Sequence, residues 1–589
     1  MTTAPDVAAS STARRWTPGL VTLLHYERGW LRPDLVAGVV LAAILVPQGM
    51  AYAELAGLPA VTGLYTTIAC LVAYAIFGPS KVLVLGPDSS VSPLILASIT
   101  PLLVVDDPAS AVVLAGMLAV LVGLIEIGLG IARLGFVADL LSSEVRVGYM
   151  NGLAITIIVG QLPKLFGFST DADGFVDEVQ AFLSGLDARN TTTLITGVAV
   201  LAVLLLLPRM TSRVPAVLVA VVGVTVASAV LDLAAQGVAT VGTLPQGFPT
   251  PRLPWTDAGD VVALAVGAVG ITMVSLTDTI ATASSFAARR GDEVDPNAEM
   301  VGVGASNVAA GLFQGFAVSV SGSRTAVADQ SGARSQMAGV VGAGLVLVLL
   351  VALNGLLADL PQTALAAVVI AAALSLMDLP ALVRFARVRR SSLVLCLVTS
   401  AGVIFLGVLQ GIVVAIVLAV LMFFKRNWWP HGEVLVQVPE LGGWHSVRAY
   451  PAGSVAPGIV VFRWEAPLFF ANAGQFRDQV RALVRDHSPS VVVLQCEAVT
   501  DIDVTAAEVL EDLDRELNDR GVHLAFVELR DRLRSLVTRY GLDSTLDREH
   551  FYPSIEVAIR ELADERDHQR RSGGTEEPDD PDADEEPVR

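Results

Sequence analysis

Charge is scarce in this chain. Only 16% of its 589 residues are Asp, Glu, Lys or Arg, against about 25% in an ordinary soluble protein. Three cysteines are too few for a secreted disulfide scaffold, and a hydrophobic content of 53% excludes a disordered chain. Six of the seven histidines follow residue 430, leaving only His25 before it, so the apolar part has no histidine-ligated metal site and no histidine proton relay. No Walker loop, no dinucleotide-binding Gly-x-Gly-x-x-Gly and no Cys/His cluster appears. Cys70 and Cys396 lie in apolar runs and Cys496 ends a strand pattern, which suits packing. The expectation is a protein that is not an enzyme, without cofactor, metal or nucleic-acid partner.

What is present is apolar sequence in long runs. The mean hydropathy is +0.62, with 51 glycines and 30 prolines, residues more frequent in membrane helices than in soluble ones. The net charge of −19 divides unevenly. Residues 430–589 hold 32 acids and 17 bases, whereas residues 1–429 hold 26 and 22. The acidity belongs to the C-terminal quarter, and the chain reads as a polytopic membrane protein that contacts the bilayer directly.

A spanning helix needs about 20 mostly apolar residues. Twelve runs fit, near 33–56, 61–78, 110–133, 143–166, 191–208, 213–234, 258–287, 296–316, 337–357, 361–378, 391–409 and 410–424. Two further stretches, 88–100 and 323–334, are too short or too polar to span alone, and each follows a short extended run, Val82–Pro87 and Val318–Gly322. They are third and tenth of fourteen segments, hence third in each set of seven. Interrupted segments at matching places in two halves point to a transporter binding site. The fold expected is a 7+7 inverted repeat. With the N-terminus inside, the cytoplasmic loops then contain Lys81, Arg133, Arg209, Arg213, Arg289, Arg290, Arg334, Arg384, Arg387, Arg389 and Arg390, as the positive-inside rule requires. Arg14, Arg15, Arg28, Arg32, Lys425 and Arg426 flank the ends, while the first outside loops carry Asp106, Asp107, Asp171, Asp173, Asp177 and Glu178. The first dozen residues lack an apolar stretch with a cleavage site, so no signal peptide is expected. Both termini are placed in the cytoplasm and the protein in the cell membrane.

The organisation read from the pattern is a cytosolic segment over 1–28, a transport domain of core and gate over 29–428, a cytosolic α/β domain over 432–565 and a disordered acidic tail over 566–589. In the third, 434–438, 459–464, 491–496 and 524–529 read as strands, and 473–486, 505–519, 530–540 and 554–563 as helices.

The first segment carries Asp34, Ala37, Gly38, Pro47, Gln48, then Met50-Ala51-Tyr52-Ala53, Leu55-Ala56-Gly57 and Pro59, followed by Gly63-Leu64-Tyr65. With Phe77-Gly78-Pro79-Ser80-Lys81, Leu85-Gly86-Pro87, Phe286-Ala287, Asp295-x-Asn297-x-Glu299 and Gly322-Ser323-Arg324-Thr325-Ala326-Val327, this strongly resembles the SulP family of inorganic anion transporters. The C-terminal domain resembles STAS, the module shared with anti-sigma-factor antagonists, and the likeness covers about 25–565. It implies a uracil-permease-like fold, secondary active transport by an elevator-like displacement of core against gate, and an anion held between the facing half-helices of segments three and ten. Sulfate is the first substrate expected and a Na⁺-coupled bicarbonate importer the second. A different class, a membrane sensor or scaffold signalling through the STAS-like domain, does not require both half-helices with Asp278 and Arg324. Family members are usually homodimers.

The physics of that placement is direct. A helix N-terminus presents unpaired N–H groups and about half a positive charge, so two such ends can take the place of an anion's hydration shell. The small residues there are Ser89, Ser90 and Ser92 in the first half-helix, and Ser321, Gly322 and Ser323 in the second; the serines either touch the anion or cap the helices. Gln48, beside Pro47, can donate from its amide. Arg324 is the only arginine placed deep in the transport domain, where a charge is functional by default; the alternative is an ion pair with Asp329, although five residues is poor helical spacing. Asp278 shares a helical face with Ser275 and Thr282. The family commonly has a coupling carboxylate at this position, and Asp278 with Thr282 suits either H⁺ or Na⁺. The alternative is an aspartate that only packs helices. Ala317, Ser319 and Val320 depart from the Pro-x-Thr-Gly often found before Ser321, and Asp88 stands where many members are apolar. Asp88 either caps its half-helix or is a second coupling group. Glu54, Glu126 and Glu144 receive no role. In the STAS-like domain Thr505 occupies the place of the antagonists' phosphorylatable serine, and Asp503 is expected to cap the following helix. A cytosolic partner of that domain is an open expectation.

Overall fold

The computed structural model describes residues 17–103, 108–135, 142–170, 172, 174–211, 215–454, 456–542, 546 and 551–572. Asp106, Asp107, Asp171 and Asp173 lie outside them, as do residues 573–589. The chain divides into two compact units, residues 1–420 and 421–589.

The first unit is helical because its apolar runs leave backbone groups no partner but one another in a bilayer. After α1 (Pro18–Leu24) come α2 (Leu31–Leu55), α3 (Ala60–Phe77), β1 (Leu85–Gly86) with the half-helix α4 (Ser92–Ile99), α5 (Pro108–Ile131), α6 (Ser143–Phe166), the short α7 (Phe175–Ser184), α8 (Thr191–Met210) and α9 (Ala216–Leu231). The second half repeats the order. It contains α10 (Ala258–Arg290), α11 (Pro296–Leu312), β2 (Ser319–Val320) with the half-helix α12 (Gly322–Gln330), α13 (Met337–Ala352), α14 (Gln362–Leu376), the short α15 (Leu379–Val388), α16 (Arg390–Leu406) and α17 (Val408–Trp428). Setting α1, α7 and α15 aside leaves seven segments per half, with a strand and half-helix third in each. Seven helices of the described residues are long and apolar enough to cross a membrane on length and composition alone.

Two groups of helices form. In one, α2, α3, α5, α10, α11 and α13 pack together and hold α4 and α12; in the other, α6, α8, α9, α14 and α16 pack together, and α14 and α9 meet the first group at α2. Close approach inside the first group depends on glycine. A Cβ on Gly123 of α5 would stand 2.5 Å from the Gly304 carbonyl oxygen of α11, and one on Gly304 would stand 2.7 Å from that of Gly123. Small residues let membrane helices touch backbone to backbone.

Asp34, in the first turn of α2 and fully buried, ties the two halves. Its Oδ1 accepts from the backbone N–H groups of Arg334 (2.6 Å) and Ser335 (3.2 Å), and its Oδ2 from the hydroxyls of Ser335 (2.7 Å) and Tyr26 (3.0 Å). The loop before α13 is thereby pinned to the start of α2. Asp34→Ala strands two backbone donors and should cost about 2–3 kcal/mol, read as a lower thermal-unfolding midpoint in detergent, with Asp34→Asn recovering part of the loss.

The second unit is a sheet of order β4-β3-β5-β6-β7-β8, with β3 (Gly432–Gln437), β4 (Trp444–Ser446), β5 (Ile459–Trp464), β6 (Val491–Gln495), β7 (His523–Val527) and β8 (Phe551–Tyr552). β5 to β8 run parallel and β3 is antiparallel to both its neighbours. Helices α18 (Ala473–His487), α19 (Val504–Asp519), α20 (Asp531–Arg539) and α21 (Ile555–Ser572) accompany the sheet. One face buries Phe462, Trp464, Phe476 and Leu513, the other Val461, Val493, Tyr552 and Ala558. Cover on both faces explains why β6 is buried throughout, as parallel strands are. The sequence pattern missed β4 and β8, which are three and two residues long and too short to show a period. Helix α21 also continues past residue 566, where the acidic tail was expected to begin, because good helix formers persist as far as Gly573-Gly574.

Candidate functional site: a polar cavity between two half-helices

β1 and β2 pair antiparallel, Leu85 with Val320 and Gly86 with Ser319, and Ser321 N–H donates to the Val84 carbonyl at 3.2 Å. Two extended runs from opposite halves thus deliver the N-termini of α4 and α12 to one place. There the structure opens a cavity of about 1420 Å³ lined by Gln48, Tyr52, Asp88, Ser89, Ser90, Asp278, Thr282, Ser321, Gly322, Ser323 and Arg324. Val36, Val40 and Ile44 of α2, Leu204 of α8, Val217 of α9 and Val368 of α14 supply an apolar wall.

Ser92 does not line it. Its hydroxyl donates to the Asp88 carbonyl at 2.8 Å, and the residue is fully buried. It is the first residue of α4, and a serine in a helix readily bonds back to the carbonyl four residues earlier. Ser275 is likewise committed elsewhere, to Glu126 at 2.9 Å. Only Asp278 and Thr282 of that expected trio reach the cavity.

Arg324 is 1% exposed, and its partner is not Asp329. That acid is taken by Arg290 at 3.0 and 2.5 Å. Arg324 instead reaches across the halves, its Nη2 standing 3.4 Å from both the Gly86 carbonyl and Asp88 Oδ2. Its Nε and Nη1 have no hydrogen-bond partner among the described residues. A buried guanidinium with free donors is costly unless something negative completes it. Gly86 makes room for it, since a Cβ there would lie 2.8 Å from Nη1. Asp88 has two contacts at once: Oδ1 accepts from Ser90 N–H (3.0 Å) and Ser90 Oγ (2.8 Å), capping the turn into α4, while Oδ2 faces Arg324. Across the site, Ser321 Oγ and Ser323 Oγ lie 3.1 Å apart.

Asp278 has Ser90, Asp88, Arg146 and Tyr149 as polar and charged neighbours. Arg146, of α6, also lines the cavity and was not singled out in the sequence, where it looks like any cation at a segment end. Glu126, assigned no role there, is fully buried. It accepts from Ser275 and from Asn307 Nδ2 (2.8 Å), and Asn307 Oδ1 accepts from Val318 N–H (2.7 Å), so the carboxylate braces the strand that leads into α12. Glu54 pairs with Lys164 at 3.8 Å, and Glu144 accepts from Ser392. No cluster of three or more His, Cys, Asp or Glu able to hold a metal occurs among the described residues. In the second unit Asp503 caps α19 by accepting from Ala506 N–H at 2.8 Å, and Thr505 is exposed on its first turn.

Residues 31–399 match the sulfate permease family and residues 450–558 the STAS domain. A probable sulfate transporter of Mycobacterium tuberculosis is 42% identical over 552 residues, covering 93% of this chain and 98% of that relative. Sulfate transporter 4.1, chloroplastic, of Arabidopsis thaliana is 28% identical, covering 90% and 80%. Among solved structures, the murine solute carrier 26 family member A9 anion transporter in the inward-facing state superposes with a TM-score of 0.84 at 24% identity, over 95% of each chain. The transmembrane domain of a cyanobacterium bicarbonate transporter does so at 0.59 and 24%, over 67% of this chain and 98% of that one. These likenesses show the fold, a helical membrane domain, and the whole-chain match adds a C-terminal STAS domain. The chain belongs to the sulfate permease family, whose members are multi-pass membrane transporters and not enzymes.

Proposed function

We propose that this protein is a secondary active transporter that carries sulfate, coupled to H⁺ or Na⁺. The observation that carries the reading is Arg324, buried between the N-termini of two half-helices with two donors unspent. A dianion seated against Arg324 would receive those donors, the hydroxyl of Ser89, a hydroxyl of the Ser321–Ser323 pair, the backbone at Gly322 and the amide of Gln48, and the hydroxyl of Ser90 once it turns from Asp88. Helix ends supply part of the field, so the anion is held without a dense cluster of charge and can leave. Asp88 competes for Arg324 from 3.4 Å, which balances the guanidinium while no anion is bound. Two arginines and three aspartates (Asp88, Asp278 and Asp378) line the cavity, so a bound dianion needs accompanying positive charge. Asp278 with Thr282 is the place to take it, as a proton or as Na⁺, and Asp88 is the second candidate.

The first helix group acts as the moving core and the second as the gate. Sequence charge places both termini in the cytoplasm of a cell-membrane protein. The assembly is a homodimer, and Thr505 on the STAS domain is available to a cytosolic partner or kinase. Radiolabelled sulfate uptake into proteoliposomes under imposed H⁺ or Na⁺ gradients tests the reading. Uptake above the equilibrium level with one gradient and not the other names the coupling ion. Bicarbonate uptake in its place moves the substrate to the second reading, and no flux of either anion under any gradient overturns the sulfate reading and favours the sensor or scaffold.

A further inference from the structure

The two helix groups pack through α14 and α9 against α2, and at the site α6 adds polar ties between them. Tyr149, 3% exposed, belongs to the second group, yet its hydroxyl donates at 3.0 Å to the carbonyl of Ser90, in the loop that opens α4 of the first. One turn earlier on the same face, Arg146 lines a small pocket together with Asp278 of α10; the two form no direct ion pair, and their opposite charges attract across that pocket. The other charged group facing Asp278 is Asp88, which is already held by Arg324. These two ties from α6 cross the seam at the cavity, one to each of the elements that would bind anion and coupling ion; a third, Lys164 to Glu54 of α2 at 3.8 Å, crosses it at the far end of α6. Along α14 the seam is apolar, on the face formed by Val368, Ala371 and Ala372.

We propose that Tyr149 and Arg146 latch the two helix groups in the arrangement seen here, and that neutralising Asp278 releases the Arg146 tie. This rests on the transporter reading and deepens it, since it gives the coupling ion a mechanical consequence. A rigid-body shift of the core must break the Tyr149–Ser90 bond, because donor and acceptor ride on different groups. The Arg146 tie is electrostatic and disappears when Asp278 carries a proton or a cation, so the loaded core is freer to move than the empty one. Tyr149 and Arg146 are positioning residues; neither is assigned a contact with the anion.

The test reads the seam without any substrate. Ala364, fully buried, lies four residues before Val368 and seven before Ala371 on the cavity-lining face of α14, sealed in this state. Ser375, on the same face, is exposed to the cavity. Maleimide labelling of Ala364→Cys in the purified full-length protein reports opening of the seam, and labelling of Ser375→Cys reports that the fold and open cavity persist. Cys70, Cys396 and Cys496 are buried and contribute little background. Tyr149→Phe should speed labelling of Cys at 364 by about three- to tenfold, the effect of one lost buried hydrogen bond. Arg146→Gln should do the same and Arg146→Lys should stay near the parent rate. Asp278→Asn should match Arg146→Gln, and the two together should add nothing further, since each removes the same tie. Unchanged labelling at 364 in both Tyr149→Phe and Arg146→Gln, with labelling at 375 intact, overturns the latch. So does full additivity of Asp278→Asn and Arg146→Gln. Because the empty protein is read, the result holds whichever anion is carried.

Discussion

Arg324→Ala should weaken sulfate binding by about 10²- to 10³-fold, the largest loss expected from any single side chain of the site. Two free N–H groups of a buried guanidinium are the donors at stake. A hydrogen bond to a charged group contributes about 1.5–3 kcal/mol; taken near the low end for each, because Asp88 competes for the guanidinium, the pair is worth about 3–4 kcal/mol, and each 1.4 kcal/mol is tenfold in affinity. The substitution also strips Asp88 of its counter-charge and leaves a carboxylate facing the incoming anion. Calorimetric titration of sulfate into purified protein measures the loss. A double variant, Arg324→Ala with Asp88→Asn, separates the two contributions: it should recover the thermal midpoint that the single variant loses, and only a minor part of the affinity. Arg324→Lys should fall between, because an ammonium offers charge without the planar fork that matches an oxyanion. Sulfate affinity within threefold of the parent in a folded Arg324→Ala protein would place the anion elsewhere in the cavity.

Much of this site could be read before its geometry. The half-helices were legible because each is preceded by a short extended run rich in valine and broken by glycine, at the same ordinal place in both halves. Arg324 was legible because a lone arginine in an apolar context has few structural uses. What the sequence did not show are partners far apart along the chain. Asp88 and Arg324 are 236 residues apart and Glu126 and Asn307 are 181 apart, so no helical spacing could join them; only the crossing of β1 with β2 and the packing of α5 on α11 does. The alternative of an Arg324–Asp329 pair, which helical spacing already disfavours, considers one helix alone, whereas the inverted repeat supplies Asp88 from the other half. Ser92 was misplaced for a smaller reason. Whether a serine caps a half-helix, faces the cavity or bonds backwards depends on which residue starts the helix, and that boundary is uncertain by a residue or two from pattern alone. Tyr149 and Arg146 could not be recognised at all, because their meaning lies in which helix group they reach across to.

Asp278→Asn should abolish gradient-driven accumulation of sulfate while leaving exchange of anion for anion intact. The carboxylate lies on α10 beside Ser90 of the first half-helix and across from Arg146, so any cation it takes sits within the same cavity as the anion. A transporter concentrates its substrate only if the loaded core that moves contains both. Asparagine keeps the volume and the hydrogen-bonding reach but can neither bind a proton nor bring a negative charge to Na⁺. The internal sulfate level should then fall to the value set by its own gradient, whatever H⁺ or Na⁺ gradient is imposed. Anion exchange should persist and even quicken, because the amide is permanently neutral and the Arg146 tie is already lost. That combination distinguishes a coupling residue from one that merely packs helices, whose loss would depress both modes together. If Asp278→Asn keeps its gradient dependence, the same measurement on Asp88→Asn decides whether the half-helix carboxylate, already in competition with the anion for Arg324, is the group through which the driving ion acts.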